Sequence, residues 1–301
     1  MKEKVTFKNN QIVMAGNLWL PEKMEDGKKY PAIVCVHPAG AVKEQSSGLY
    51  AEKLSQKGFV TLAYDASHQG ESGGEPRYLE NPIERVEDIR CAVDYFHTLP
   101  FVDPNRIGAL GLCAGGGYAI DAAMTERRIK AVAGVCTTDP GAAIREGWDG
   151  NTPVEEQIKL LESVANQRTA ETGGAEPMYM PYVPEELDEN SSVMMREANE
   201  YYRTCRAEHP NSPNKVLFTS LDKILAYSSF DRADTLLTQP LVVIAGSESD
   251  ALRFSKIIAE KARGKSELFI IDGATHVALY DVPQYVNQAV EKLNHFFNDN
   301  L

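Results

Sequence analysis

The chain of 301 residues lacks several features that would assign it to a whole class of proteins. Its five cysteines include no Cys-x-x-Cys pair, so neither a zinc site nor a disulfide framework is indicated. No apolar run approaches the roughly 18 residues that a membrane helix requires. Residues 1–5 lack the apolar core of a signal peptide, so we expect a cytoplasmic protein without a membrane partner.

Positive charge is also scarce. The chain has 31 Lys and Arg against 43 Asp and Glu, which gives a formal net charge of -12 at pH 7. A chain this acidic is repelled by the phosphates of nucleic acids, so we expect no nucleic-acid partner. The chain has no internal repeat and no low-complexity tract, and its composition is that of a globular protein. A homodimer is compatible with these observations.

Short apolar runs alternate with amphipathic segments along most of the chain. Such runs are typical of strands buried on both faces of a sheet, and the segments between them have helical periodicity. Their alternation predicts an α/β fold with a mostly parallel sheet and helices on both faces. The expected strands are residues 5–7, 12–20, 32–36, 60–64, 107–112, 129–136, 241–245 and 267–271.

Residues 137–233 interrupt this alternation with polar segments rich in Met and Tyr and with several turn signals. Helical patterns at 155–167 and 192–206 lie within this stretch. We therefore predict a mostly helical cap inserted into a core formed by residues 1–136 and 234–301. Such a cap is expected over the carboxyl ends of the strands, where open α/β sheets bind ligands.

Four side chains of the predicted cap are candidates for a substrate-binding wall. Met178, Tyr179, Met180 and Tyr182 could surround an apolar acyl group. Packing of the cap against itself explains them equally well, because Met and Tyr are common in irregular cores.

The most informative motif is Gly111-Leu112-Cys113-Ala114-Gly115, where a predicted strand meets a helical pattern. Glycines two residues before and after a nucleophile are typical of a nucleophile elbow, a strained turn in which flanking side chains would collide. A buried core cysteine is the simpler alternative. A phosphate-binding loop is less favoured, because the Gly-Lys-Ser/Thr ending of a P-loop is absent. We predict that Cys113 is a nucleophile and that the helix N-terminus lowers the pKa of its thiol.

A thiol nucleophile needs a base and an acid that orients the base. His276 lies in the loop after the last predicted strand, which places it to reach the elbow. The acid is expected after strand 241–245, where we favour Asp250 over Glu248; its alternative role is to cap the next helix. Asp139, after the preceding strand, is a third candidate. In this scheme His276 deprotonates the thiol, or pairs with it as thiolate and imidazolium, while Asp250 orients the ring.

An oxyanion hole needs two backbone N–H groups directed at the developing negative charge. Ala114, the residue after the nucleophile, is expected to supply one of them. The other is expected from the loop His37-Pro38-Ala39-Gly40. Because Pro38 has no N–H, Ala39 is the predicted donor and Gly40 the alternative.

Together these motifs resemble the α/β-hydrolase superfamily and, within it, the dienelactone-hydrolase-like branch with a cysteine nucleophile. The resemblance implies an α/β-hydrolase fold and a Cys-His-Asp triad that acts on an ester, lactone or thioester without a cofactor. It extends from Val5 to the last helix and leaves out the cap, and Pro38 replaces the glycine usual in the oxyanion loop. An acyltransferase or thioesterase is the alternative within this chemistry. A non-catalytic ligand-binding protein and a nucleotide-binding enzyme are the alternatives from other classes.

Overall fold

A computed structural model describes residues 1–189 and 191–301 and shows ten strands and eleven α-helices among them. The strands are β1 (Lys2–Asn9), β2 (Ile12–Trp19), β3 (Tyr30–Val36), β4 (Val60–Tyr64), β5 (Val102–Leu112), β6 (Ile129–Val135), β7 (Tyr179–Met180), β8 (Val216–Leu217), β9 (Leu241–Gly246) and β10 (Ser266–Ile271). The helices are α1 (Ser46–Ser55), α2 (Pro82–Thr98), α3 (Ala114–Thr125), α4 (Pro140–Glu146), α5 (Val154–Thr172), α6 (Val193–Arg203), α7 (Leu221–Leu225), α8 (Ala233–Leu236), α9 (Leu252–Lys261), α10 (Ala278–Asp281) and α11 (Pro283–Asn300).

Eight strands form one sheet in the order β1-β2-β4-β3-β5-β6-β9-β10. The pairs β1–β2 and β2–β4 are antiparallel, and every pair from β4 to β10 is parallel. The α/β-hydrolase fold with a mostly parallel sheet, predicted from the sequence, is therefore confirmed. Parallel strands place their carboxyl ends at one edge, so the loops after β3, β5, β6, β9 and β10 meet there.

Helices cover both faces of this sheet because its central strands are apolar on both sides. One face packs against α2, α3 and α9, with Ile89 and Phe254 among the buried side chains. The other face packs against α1 and α11 through residues such as Leu54 and Leu293. The two layers hold the sheet rigid and fix the loops at its edge.

The segment between β6 and β9, which we call the β6–β9 segment, contains α4 to α8 and the small antiparallel strand pair β7–β8. Its division from the core at residues 137–233 stays a prediction. Helix α8 crosses the expected boundary, and its Ala233 is buried in the same apolar cluster as Phe254 of α9.

Strand β5 begins at Val102 rather than at Ile107. In the described part of the chain, no helix is both long enough and apolar enough to cross a bilayer.

Candidate active site

Cys113 occupies a strained turn between β5 and α3. Its φ of 54° and ψ of -123° lie in a region that residues with a Cβ rarely adopt. A Cβ at Gly111 would collide with the carbonyl oxygen of Gly115, and a Cβ at Gly115 would collide with the carbonyl of Val36. The Cys113 N–H donates to the Val135 carbonyl at 3.0 Å, so the next strand holds the turn. Strain of this kind, held by its surroundings, is a feature of functional sites.

The side chain of Cys113 opens into a cavity of about 130 Å³ at the carboxyl edge of the sheet. The wall combines the loop after β3, the loop after β10 and the β6–β9 segment. Apart from the thiol and one imidazole, it consists of apolar and aromatic side chains, and no described residue of the wall carries a formal charge. The wall residues are Pro38, Ala39, Cys113, Trp148, Tyr182, Val183, Met194, Met195, Ala198, Tyr202, His276, Val277 and Tyr280.

His276 lines the same cavity, as its position after β10 predicted. Its side chain is buried, and its Nε2 lies 3.1 Å from the hydroxyl of Tyr280. The indole of Trp148 packs edge-on against the imidazole, with ring centroids 5.8 Å apart. Burial lowers the pKa of His276 to about 4, so the imidazole is neutral at pH 7 and can accept a proton.

The thiol of Cys113 is protonated in this environment, contrary to the effect expected from the helix N-terminus. Burial raises the pKa of Cys113, because a thiolate loses hydration in an apolar cavity. Hydrogen bonds that the Tyr280 hydroxyl, the Ala114 N–H and the Thr138 hydroxyl donate to the thiolate form lower this pKa, but they do not outweigh the effect of burial. The resting pair is therefore a thiol and a neutral imidazole.

The candidate acid Asp250 lies in the loop after β9, but among the described residues it makes no hydrogen bond to His276. Within residues 1–189 and 191–301, the buried Nδ1 of His276 has no hydrogen-bond partner. The half-buried carboxylate of Asp250 accepts only its own backbone N–H. Ala251, not Asp250, is the N-cap residue of α9, so the capping role considered for Asp250 is not used.

The two other candidate acids, Glu248 and Asp139, lie in different environments. Glu248 is exposed in the loop after β9. Asp139 is buried and caps α4 by accepting the Ala142 N–H at 3.0 Å. The carboxylate of Asp139 also accepts the Ser228 hydroxyl at 2.8 Å and the Ser229 N–H at 3.0 Å, so its acceptor positions are used to hold the β6–β9 segment.

The two residues predicted to supply the oxyanion donors contact the site in different ways. Ala39 lines the cavity, and the Ala114 N–H hydrogen-bonds the sulfur of Cys113. The oxyanion loop is fixed by His37, whose Nε2 accepts the Ala66 N–H at 3.0 Å and whose Nδ1 donates to the Pro38 carbonyl at 2.6 Å. Burial lowers the pKa of His37 well below its usual range, which agrees with this neutral, structural role.

The predicted substrate wall is only partly assembled. Tyr182 lines the cavity and packs directly over Gly40 of the oxyanion loop. Met178, Tyr179 and Met180 are not among the wall residues. Met178 and Tyr179 are exposed, Tyr179 and Met180 pair with β8, and Met180 packs near Val164 of α5. Packing within the β6–β9 segment therefore explains Met180, whereas the ring of Tyr179 contacts Tyr78 outside that segment.

Sequence reasoning missed several residues of the wall. Met194, Ala198 and Tyr202 come from α6, whose buried positions recur at the spacing of one helix face. The periodicity of α6 could have predicted its wall residues from the sequence, whereas no sequence pattern marks Trp148 or Tyr280. The described residues include no cluster of three or more His, Cys, Asp or Glu side chains arranged to hold a metal ion.

Comparison with known proteins places this site in a family. The model of the dienelactone hydrolase family matches residues 14–157. The chain is 41% identical to the uncharacterized protein YcjY of Escherichia coli K12 over the full length of both. It is 35% identical to the uncharacterized protein PA2218 of Pseudomonas aeruginosa, over 99% of this chain and 80% of that protein. The crystal structure of PA2218 superposes with a TM-score of 0.94 and covers 100% of this chain and 94% of that one.

Two more distant relatives have named activities. The polyketide transferase claH of Penicillium crustosum is 24% identical over 96% of this chain and 97% of its own length. A thiohydrolase of Eupenicillium brefeldianum is 26% identical over 85% of each chain. The matched motifs, the fold and the extent of these similarities lead to one assignment: the chain belongs to the dienelactone hydrolase family and has the α/β-hydrolase fold.

Proposed function

We propose that the protein hydrolyses acyl esters or acyl thioesters through a covalent acyl intermediate on Cys113. The observation that carries this proposal is the convergence of four groups on one small cavity. These are the thiol at a strained elbow, the neutral imidazole of His276, the residue Ala39 in the cavity wall and the Ala114 N–H that hydrogen-bonds the sulfur. Nucleophile, base and oxyanion donors are the minimum set for acyl transfer.

The protonation states define the first half of the reaction. His276 accepts the thiol proton as the sulfur attacks the acyl carbon, since neither group is charged at rest. The carbonyl oxygen becomes an oxyanion and receives the N–H groups of Ala39 and Ala114. When the tetrahedral intermediate collapses, the leaving alkoxide or thiolate takes the proton from His276, and the acyl group remains on the sulfur. In the second half, His276 takes a proton from a water molecule as the water oxygen attacks the acyl carbon. The C–S bond then breaks, the sulfur takes the proton back from His276 to regenerate the thiol, and the carboxylic acid leaves.

Asp250 is proposed as the group that stabilises the imidazolium formed in each half. Its carboxylate and the Nδ1 of His276 are complementary groups, and among the described residues neither has a hydrogen-bond partner from another residue. Their loops are joined by hydrogen bonds, from the Ser247 N–H to the Ile271 carbonyl and from the Glu248 N–H to the Ala274 carbonyl. A change of side-chain rotamer at Asp250 is the movement that this role requires.

The cavity favours an uncharged acyl group. Its wall is apolar and aromatic, and no described wall residue offers a charge to pair with a carboxylate on the substrate. Burying an unpaired carboxylate costs a free energy on the order of several kcal/mol. The acyl group of the substrate is therefore expected to be a small aliphatic or aromatic one.

Acyl transfer to an acceptor other than water is the second candidate function. The apolar wall limits the access of water to Cys113, and a thioacyl intermediate reacts readily with amines and thiols. The polyketide transferase among the relatives supports this alternative, and the thiohydrolase supports hydrolysis.

A matched panel of substrates and variants tests the proposal. Butyryl and phenylacetyl thioesters, the succinyl thioester and p-nitrophenyl butyrate are supplied to the wild type, to Cys113→Ala and to Cys205→Ala. Cys205 is an exposed free cysteine outside the site, so its loss leaves turnover unchanged. We expect Cys113→Ala to abolish turnover and the succinyl compound to react at least tenfold more slowly than the butyryl one. Turnover that survives in Cys113→Ala contradicts the mechanism, and added thiol or amine acceptors show whether transfer competes with hydrolysis.

A further inference from the structure

We propose that the hydroxyl of Tyr280 relays the proton between the thiol of Cys113 and the Nε2 of His276. This inference rests on the proposed role of Cys113 as nucleophile. The hydroxyl is the polar group that both residues share, and neither the family match nor the motifs of the sequence point to it.

The phenol hydroxyl contacts both groups, because it is a hydrogen-bond partner of the Cys113 sulfur and of His276. Tyr280 lies four residues after His276, on the short helix α10, and its hydroxyl is 3.1 Å from Nε2. The two rings are packed edge to face, with centroids 5.6 Å apart. Tyr280 and His276 are both buried, and both line the cavity into which Cys113 opens. Within the described residues, no direct hydrogen bond joins the thiol to His276, whose Nε2 is occupied by the phenol.

Several contacts hold the phenol in this position. The hydroxyl of Tyr50 donates to the Leu279 carbonyl at 2.8 Å, which anchors the backbone next to Tyr280. Thr275 donates its hydroxyl to Glu197 of α6 at 2.6 Å and accepts the Ala278 N–H, which starts α10. The ring of Tyr201 packs against the ring of Tyr280 with centroids 5.2 Å apart. A backbone anchored on the N-terminal side of Tyr280 and a ring packed against Tyr201 keep the hydroxyl directed at the reacting atoms.

The relay conserves protons and electrons at each step. The S–H bond of Cys113 breaks and its proton passes to the phenol oxygen, while the phenol O–H proton passes to Nε2 of His276. The products are a thiolate, an imidazolium and an unchanged phenol, and the sulfur electron pair attacks the acyl carbon. When the leaving group departs, the same two transfers run in reverse from Nε2 to its oxygen or sulfur.

The two transfers must be concerted. Burial raises the pKa of Tyr280 well above its usual range, so a free phenolate does not form in the cavity. The titratable groups that act on Tyr280 and Cys113 from neighbouring elements are Tyr202 of α6, Cys136 after β6 and Arg85 of α2. Cys136 and Tyr202 also have raised pKa values, so they remain neutral across the physiological range.

The pH dependence of alkylation at Cys113 tests the relay without any substrate. Iodoacetamide modification of the Cys113 peptide is followed by mass spectrometry in the wild type, Tyr280→Phe and Tyr64→Phe. Tyr64 is a buried tyrosine of β4 outside the cavity, so its variant controls for the loss of a buried hydroxyl. Loss of the Tyr280 donor is expected to raise the alkylation midpoint by about one pH unit and to lower kcat/KM about 10- to 100-fold. Tyr64→Phe is expected to leave the midpoint unchanged. An unchanged midpoint and a kcat/KM within twofold of wild type in Tyr280→Phe overturn the relay.

A second variant covers the case in which Tyr280→Phe does not fold. Replacement of Tyr280 by 3-fluorotyrosine keeps the shape of the ring and makes its hydroxyl a stronger donor, so the alkylation midpoint is expected to fall. An unchanged midpoint in this variant contradicts the relay. Failure of the proposed function has a different signature, which is full turnover in Cys113→Ala whatever the alkylation profiles are.

Discussion

At the scale of single residues, the site is formed by titratable groups held neutral by burial. The thiol of Cys113 has a raised pKa and the imidazole of His276 a lowered one, and both effects come from the loss of hydration in the apolar cavity. Neutral partners avoid the free-energy cost of a permanent buried ion pair. Charges therefore form only during the reaction, when oriented N–H groups and hydroxyls stabilise them.

His276 also links the stability of the fold to pH. Its pKa is about 4 in the folded protein, whereas an unfolded histidine titrates near 6.5. Between these values the unfolded chain binds more protons, so the contribution of His276 to the free energy of unfolding falls as pH drops from about 6.5 to about 4. Urea unfolding of the wild type and His276→Gln at pH 4.5, 5.5 and 7 measures it. We expect a shallower acid loss of stability in the variant. Equal slopes would show that the imidazole is not held neutral by burial.

At the scale of elements, the loops after parallel strands supply the chemistry and the helices that follow fix them. Strand β5 leads into the elbow, β3 into the oxyanion loop and β10 into the loop of His276. Asp139 and Asp250 occupy equivalent positions after β6 and β9, yet their surroundings differ. Asp139 is fully engaged in holding α4 and the β6–β9 segment, whereas Asp250 has no partner outside its own backbone within residues 1–189 and 191–301.

This difference predicts opposite effects of removing the two carboxylates. Asp139→Ala loses the cap of α4 and is expected to lower the free energy of unfolding by about 1–2 kcal/mol, with kcat retained. Asp250→Ala is expected to lower kcat about 100-fold or more with little change in stability, because the imidazolium loses its stabilising carboxylate. Thermal unfolding and steady-state kinetics on both variants measure the two effects. The reverse pattern, with kcat lost in Asp139→Ala alone, would assign the triad acid to Asp139.

At the scale of the whole molecule, the sequence predicted the sheet and its edge because the signals are local. Apolar runs mark buried strands, and the glycines around Cys113 mark a turn that admits no side chain. The sequence predicted His276 and Ala39 in the loops after β10 and β3, and the carboxyl ends of parallel strands bring both loops to the cavity.

The walls of the cavity could not be predicted in the same way, because they depend on how the β6–β9 segment folds back over the core. Trp148 and Tyr202 are distant from Cys113 in sequence and reach it only through that packing. Met178 and Tyr179 are residue types common in binding sites, but both are exposed and lie at the strand pair β7–β8. The hydrogen bond of Tyr280 to His276 depends on a side-chain orientation within a short helix, which no periodicity reveals.

The central claim is that the sulfur of Cys113 forms a covalent acyl intermediate, and trapping this intermediate tests the claim most directly. Wild-type protein and Cys113→Ala are mixed with butyryl thioester, quenched in acid within milliseconds and digested, and the peptide that contains residue 113 is weighed. The account predicts a butyryl adduct on the Cys113 peptide of the wild type, which forms and decays within one turnover, and none in the variant. Turnover by the wild type with no adduct on Cys113 at any time, together with undiminished turnover by Cys113→Ala, would contradict it.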